Sequence, residues 1–246
     1  MQRTLLVSDI HLCPARLAVV RMFLDFLAKQ APQADALYIL GDLFEYWAGD
    51  DDLADPFNAA IVTALKDLVD KGTQVFLLVG NRDFLIGKDF ARASGATLLD
   101  EPHLSDLDGT PTLLLHGDTL CTDDPDYRAF RDKVRDKAWQ QAFLALPLSE
   151  RKAQIEQLRC RSEQEKQTKS SALMDVNPEA VENLLRAYGY PRLIHGHTHR
   201  QARHEILIDG HRCERWVLGN WYDSGNTLSC SQAGCHAQMF PFPFAV

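Results

Sequence analysis

Five short apolar runs, at residues 5–7, 37–40, 75–79, 113–115 and 193–194, each stop at a cluster of residues of the kinds that hold metal ions. Asp9 and His11 follow the first run, Gly41 and Asp42 the second, and Gly80-Asn81-Arg82-Asp83 the third. His116-Gly117-Asp118 follows the fourth and His195-Gly196-His197-Thr198-His199 the fifth. Runs this short and this apolar read as buried strands, and helical spacing at 17–31, 58–70 and 178–188 alternates with them. Asn177 before Pro178 is a helix start, with a capping acceptor followed by a proline whose missing N–H costs nothing at the first helical position. Strands alternating with helices predict an α/β fold. In such sheets the ligand crevice lies outside the carboxyl ends of the strands, so the five clusters are expected to converge. Beyond residue 203 the pattern changes: strand-like pieces at 206–208, 215–218 and 237–240, with turns at Asp209-Gly210 and Asn226, predict added antiparallel pairing.

Residues two apart on an extended backbone point the same way, which pairs Asp9 with His11 and His197 with His199. The donors are two carboxylates (Asp9, Asp42), one amide oxygen (Asn81) and four imidazoles (His11, His116, His197, His199), with no thiolate. That set suits Mn²⁺, Fe or Zn²⁺ and suits Cu(I) or Fe–S badly. Seven donors are too many for one ion and match two ions ~3.5–4 Å apart that share a carboxylate. A lone buried histidine is more often structural than ligating; here the argument rests on the recurrence of such clusters at the same end of every strand.

Residues 126–172 break the alternation. They show helical text without a strand pattern, and their eleven Lys/Arg against seven Asp/Glu give a net +4 in a chain whose formal charge is −8. Tyr127, Phe130, Val134, Phe143, Leu144 and Leu146 add an apolar side. The expectation is a basic helical insert over an anionic substrate; the simpler alternative is a solvated helical hairpin. No linker composition divides the chain, so 1–246 reads as a single domain carrying that insert. The acidic balance argues against nucleic acid as a partner. No apolar run nears the ~18 residues that span a bilayer, and no signal-peptide pattern precedes the first strand. A cytoplasmic chain with no obligate protein partner is expected. Cys13, Cys121, Cys160, Cys213, Cys230 and Cys235 form no C-x-x-C pair and are expected to be reduced thiols. Cys230, Cys235 and His236 fall short of the four ligands of a structural zinc site. The acidic run at 50–52 reads as an exposed loop.

The ordered signatures D-x-H, G-D, G-N, H-G and G-H-x-H are similar, over essentially the whole chain, to those of the calcineurin-like metallophosphoesterase superfamily. The resemblance implies a sandwich of two β-sheets flanked by helices. It implies that Asp9, His11, Asp42 and His199 hold one metal and Asp42, Asn81, His116 and His197 the other, with Asp42 bridging. It also puts Asp42, Asn81, Arg82 and His116 in the catalytic set, with His195 behind the ligands.

In many members the third signature reads G-N-H-[DE], and its histidine protonates a departing alkoxide. Here the position is Arg82. Arginine stays protonated at any working pH and is no practical general acid. A departing phosphate needs no such proton, since its second pKa is ~6, but it does need charge neutralisation, which a guanidinium supplies bidentately. Arg82 therefore points to cleavage of a pyrophosphate, unless it only pairs with Asp83.

Longer strings narrow the resemblance. Gly41-Asp42-Leu43-Phe44-Glu45 with Trp47 and Gly49 to Asp52, Gly80 to Leu85 with Gly87-Lys88, His116 to Asp124, Met174 to Asn177, and His195 to Arg200 together resemble the UDP-2,3-diacylglucosamine hydrolase family, the pyrophosphatases of lipid A biosynthesis. That resemblance implies that water activated by two Mn²⁺ ions attacks the phosphate next to uridine, giving UMP and 2,3-diacylglucosamine 1-phosphate. It implies substrate contacts at Asn81, Arg82, Asp124, Ser162, Lys166, Lys169 and His197. It further implies a helical cap that holds the sugar and acyl chains, and peripheral association with the cytoplasmic face of the inner membrane, which a cationic, apolar-faced segment suits. Arg82 speaks against a cyclic-nucleotide phosphodiesterase or phosphoprotein phosphatase, the acidic balance against a nuclease, and the seven filled ligand positions against a metal-free binding scaffold.

Overall fold

The computed structural model describes residues 3–168 and 175–241, and the side chains of all of these except 160–168. Strand β1 (Thr4–Val7), helix α1 (Leu17–Lys29), strand β2 (Ala36–Leu40), helix α2 (Pro56–Asp70), strand β3 (Gln74–Leu78), helix α3 (Lys88–Ser94) and strand β4 (Thr97–Leu98) lead the chain, and the four strands pair in parallel. Strands β5 (His103–Leu107) and β6 (Thr110–Leu115) open a second sheet. Helices α4 (Pro125–Arg135), α5 (Lys137–Leu144), α6 (Leu148–Thr168) and α7 (Pro178–Ala187) follow. Strands β7 (Arg192–His195), β8 (Ala202–Ile208) and β9 (His211–Val217) join the second sheet, in the order β5-β6-β7-β9-β8. The antiparallel strands β10 (Ser224–Ser231) and β11 (Gly234–Pro241) return to the first, in the order β11-β10-β1-β2-β3-β4.

Alternation along each strand builds the layers. Leu5 and Val7 pack with Phe23, Phe26 and Leu65 under α1 and α2, whereas Leu6 turns the other way, into the cluster that holds Leu114 and Ile194 of the second sheet. On that sheet's far side Leu113, Leu115 and Leu193 pack against Val181 and Leu185 of α7. The result is two mixed sheets face to face with helices outside both. Strands covered on both faces read as continuous apolar runs, which is why β1, β2, β3, β6 and β7 stood out in the sequence. Asn177 caps α7 as expected, accepting from Ala180 N at 3.0 Å.

Several expectations are corrected. Helix α1 stops at Lys29 and residues Ala31–Gln33 tighten into a 3₁₀ turn, because Pro32 disfavours helical backbone before it. Asn226 lies inside β10 rather than in a turn. Its amide donates to the main-chain oxygens of Asn220 and Ser224, and the chain reverses instead at Gln232 and Ala233. Cys230 and Cys235 are not free thiols. The β10–β11 register sets them opposite each other, Cα atoms 4.1 Å apart, and they form a disulfide. Cys13, Cys121 and Cys213 are free. Among the described residues no helix is long and apolar enough to cross a membrane.

The helices α4 to α6 occupy the segment expected to be helical as far as Thr168, residues 169–172 lying outside the described ones, and the acidic run beside them is not an idle loop. Asp50 accepts from Gly87 N, Asp89 N and Phe90 N at the start of α3. Asp51 and the buried Asp52 face α6, where they pair with Arg151 and Lys152. Arg151 is 1% exposed and donates to the main-chain oxygens of Ala48 and Leu146 as well. Arg151 and Lys152 thus tie α6 to the chain around the acidic run. Each buried carbonyl left unpaired costs ~1–3 kcal/mol, so Arg151→Ala is expected to lose ~2–4 kcal/mol of unfolding free energy. Lys152→Ala, which breaks a partly exposed pair, should lose under ~1 kcal/mol. Urea unfolding of both variants checks this; equal stabilities would show that Arg151 is not the latch.

Candidate metal centre

The turns after β1, β2, β3, β6 and β7 meet at one edge of the two sheets, and their backbone is wound to aim side chains inward. Asp9, His11, Asp42, His197 and His199 all have φ between 53° and 68°. Left-handed backbone is uncommon outside glycine and costs ~1–3 kcal/mol per residue, so it persists where the surroundings impose it. Here they do. Asp9 N donates to Gly41 O (3.1 Å), His11 N to Asp42 O (3.0 Å) and His197 N to Asp9 Oδ2 (2.9 Å). Gly80 and Gly196 permit the close approach: a Cβ at the first would overlap the Asp42 carboxylate, and at the second the Asp9 carboxylate.

The seven expected donors converge. His11 Nε2 stands 3.3 Å from His199 Nε2, 4.0 Å from Asp9 Oδ1 and 3.9 Å from Asp42 Oδ2. His199 Nε2 is 3.3 Å from Asp9 Oδ1. On the other side His116 Nε2 lies 3.7 Å from Asp42 Oδ2 and 3.0 Å from Asn81 Oδ1, which His197 Nδ1 also approaches to 3.0 Å. Two groups, Asp9 with His11 and His199, and Asp9 with Asp42 and His116, have donor atoms close enough to hold an ion. Asp9 is common to both, and Asp42 lies between His11 and His116.

The chemistry of the set fits divalent cations. His116 Nδ1 faces the Leu40 carbonyl at 2.9 Å, an acceptor that fixes a proton there and leaves Nε2 to face the centre. Asp9 Oδ1, the carboxylate oxygen that faces His11 and His199, is buried without a hydrogen-bond partner, against the ordinary rule for buried polar atoms. Burial, with Asp83 and Asp9 nearby, pushes the Asp42 carboxyl up to about 7 against the pull of His116. Burial works to lower His116, but the carboxylates of Asp42, Asp9, Asp118 and Glu101 raise it to about 9. Burial and the charge on His116 take His197 down to about 3. Many acceptors here share few protons, and metal binding would displace those few.

His195 is not among the converging donors. Its Nδ1 lies 2.9 Å from Gly196 O and its Nε2 takes an N–H from Arg215 at 3.0 Å, while burial lowers it to about 4. Asp83 spends its carboxylate on the amides of Gly80 and Leu43, both at 2.7 Å, and on Phe44 N. That disposes of the simple Arg82–Asp83 pair. Arg82 instead donates its main-chain N–H to Asp42 Oδ1 (2.8 Å) and lines the cavity with its side chain.

That cavity, about 630 Å³, opens from the donors and is walled by Phe84, Phe130, Trp139 and Ile155. Asp124 lines it and caps α4 through Tyr127 N at 3.0 Å. Ser162 and Lys166 fall on α6 with side chains outside the described residues, and Lys169 lies outside them altogether. The sequence placed Asp118 in the fourth cluster without a role; its carboxylate accepts from Arg131 Nε at 2.8 Å and ties α4 to the fourth turn. Sequence reasoning missed the Tyr127 ring beside His197, and it missed Glu45 and Arg159. Glu45 sits in a string already noticed, three residues after Asp42; Arg159 has no local signal at all.

A family model described as calcineurin-like phosphoesterase matches residues 2–201. A UDP-2,3-diacylglucosamine hydrolase of Aromatoleum aromaticum is 55% identical over 230 residues, 94% of each chain. Those of Chromohalobacter salexigens (49% identical, 89% of this chain and 88% of that one) and Nitrosococcus oceani (47%, 95% and 93%) are similar over nearly the same span.

Proposed function

The chain belongs to the calcineurin-like phosphoesterases and, within them, to the UDP-2,3-diacylglucosamine hydrolase family, and on that premise we propose that it hydrolyses the pyrophosphate of UDP-2,3-diacylglucosamine to UMP and 2,3-diacylglucosamine 1-phosphate. The observation that carries the reading is the junction of two unlike environments. A knot of carboxylate, imidazole and amide donors opens directly into a large cavity walled by aromatic and aliphatic side chains of the helical segment. A substrate with a pyrophosphate at one end and acyl chains at the other needs that junction.

Asp9, His11, Asp42, Asn81, His116, His197 and His199 would hold two divalent ions; the donor set suits Mn²⁺, Fe or Zn²⁺, and the family resemblance favours Mn²⁺. Such a pair supplies an activated water and charge neutralisation at the attacked phosphate. The remaining work falls to the chain itself. Asp42 holds the turn of Asn81 and Arg82 through the Arg82 amide, which keeps the Asn81 amide oxygen between His116 and His197. Arg82 meets the phosphate that leaves with the sugar, in place of a proton donor. Asp124, Ser162, Lys166 and Lys169 are assigned to the substrate's head, and the apolar wall to its acyl chains. The basic, apolar-faced helices also support peripheral attachment to an anionic membrane surface.

The test is hydrolysis of UDP-2,3-diacylglucosamine in ¹⁸O-water with Mn²⁺ and with EDTA, beside p-nitrophenyl phosphate, bis-p-nitrophenyl phosphate and single-stranded DNA. The expected result is preference for the lipid nucleotide, loss of turnover in EDTA and label in UMP. Label in the sugar phosphate, or undiminished turnover in EDTA, would overturn the reading.

A further inference from the structure

Glu45 is a carboxylate at this centre that faces arginines from three separate parts of the chain. It follows the turn after β2, and its amide is tied to Leu12 O at 3.0 Å in the turn after β1. The side chain is 3% exposed. Its Oε2 lies 3.3 Å from Arg16 Nη1 and 3.6 Å from His11 Nδ1. Its Oε1 lies 3.4 Å from Arg159 Nη2 and 4.0 Å from Arg82 Nη1. Arg16 comes from the loop before α1, Arg82 from the turn after β3 and Arg159 from α6. Aromatic faces steady two of them: Arg16 stands 4.4 Å from the Tyr222 ring centre and Arg159 5.7 Å from that of Tyr46.

Three guanidiniums do not gather in a half-buried space unaided, because like charges at this range repel and the site screens them poorly. One carboxylate among them allows the gathering and leaves the cluster positive overall. Arg82 and Arg159 both line the cavity that opens from the donor residues. We propose that Glu45 is a positioning residue for the leaving phosphate: it holds Arg82 and Arg159, braced by Arg16, as one cationic wall beside the metal centre. The carboxylate neutralises part of the wall's charge in the resting enzyme, and the substrate's phosphate supplies the rest on binding. This inference rests on the pyrophosphatase reading above.

The experiment compares wild type, Glu45→Gln, Glu45→Asp, Arg159→Ala and the Glu45→Gln/Arg159→Ala double variant on UDP-2,3-diacylglucosamine, with bound Mn²⁺ per chain measured for each. Gln keeps the shape and removes the charge, so kcat/KM is expected to fall ~10–100-fold, the range for loss of a residue that supports a site from behind, with Mn²⁺ content unchanged. Asp keeps the charge on a shorter arm and should fall between wild type and Gln, which keeps the test usable should Gln fold poorly. If Glu45 acts through the arginines, the double variant is no worse than the weaker single one by more than ~3-fold. Wild-type kcat/KM in Glu45→Gln, an Asp variant no better than Gln, fully multiplicative losses in the double variant, or losses explained by missing Mn²⁺ would each overturn the inference. Wild type that leaves the lipid nucleotide uncleaved would instead defeat the substrate reading.

Discussion

Asp42→Ala is expected to abolish hydrolysis of UDP-2,3-diacylglucosamine, lowering kcat by more than ~10³-fold even at saturating Mn²⁺, because a shared carboxylate is what lets two ions act on one phosphate. Asp42 Oδ2 stands between His11 Nε2 and His116 Nε2, at 3.9 and 3.7 Å, and so faces an imidazole on each side of the centre. Its Oδ1 takes the Arg82 amide at 2.8 Å, and without it the turn carrying Asn81 loses its anchor. Asp42→Asn keeps an oxygen for that amide but not the charge, and should recover little. His195→Ala should cost only ~10–100-fold, because this ring meets Gly196 O and Arg215 rather than the centre. Steady-state rates and metal analysis decide the matter. An Asp42→Ala enzyme with more than a tenth of wild-type turnover would show that the ions, if two, do not share this residue.

Arg82→Ala is expected to lower kcat/KM by ~10²–10³-fold, the order for losing one charge contact made in the transition state. The substitution is a clean one. The contact of residue 82 with Asp42 runs through its main-chain N–H, which alanine retains, and Asp83 is already satisfied by main-chain amides. What is removed is the guanidinium, which lines the cavity and stands 4.0 Å from Glu45 Oε1. Lysine should rescue in part, since a point charge cannot reproduce a two-pronged contact. Histidine should not rescue the pyrophosphate reaction, but is expected to raise activity on alkyl phosphodiesters, whose leaving alkoxide needs a proton. Rates of the Ala, Lys and His variants on both substrate types test this together. Near-wild-type turnover of UDP-2,3-diacylglucosamine by Arg82→Ala would leave the phosphate leaving group without its partner and remove the chemical argument for an anhydride substrate.

The parts of this protein that could be read from its sequence are those whose cause is local. Strands buried on both faces must be apolar throughout, so β1, β2, β3, β6 and β7 announced themselves. The donors follow these strands directly, and an α/β sheet puts such turns on one side. The kinds of atom at the centre and their order along the chain were therefore legible, and so was the helical character of the segment now seen as α4 to α6. Strands β4 and β5 carried weaker patterns because they are short or half exposed, and Asn226 looked like a turn because its side chain's partners, Asn220 O and Ser224 O, are supplied by the folded loop.

What the sequence determined by itself is the chemistry of the donors, the alternating fold and, at Arg82, a guanidinium that cannot serve as a practical general acid. Tertiary structure alone decided which side chains face one another across long separations. It set Glu45 among Arg16, Arg82 and Arg159, gave the acidic run of Asp50–Asp52 its partners in α3 and α6, and brought Cys230 opposite Cys235. It also wound Asp9, His11, Asp42, His197 and His199 into left-handed backbone, which none of those residues prefers in isolation. The division has a physical reason. Periodicity and donor type are properties of neighbouring residues and survive in the unfolded chain. Ion pairing, desolvation and backbone strain exist only once burial has taken water away and the packed sheets can hold unfavourable conformations in place.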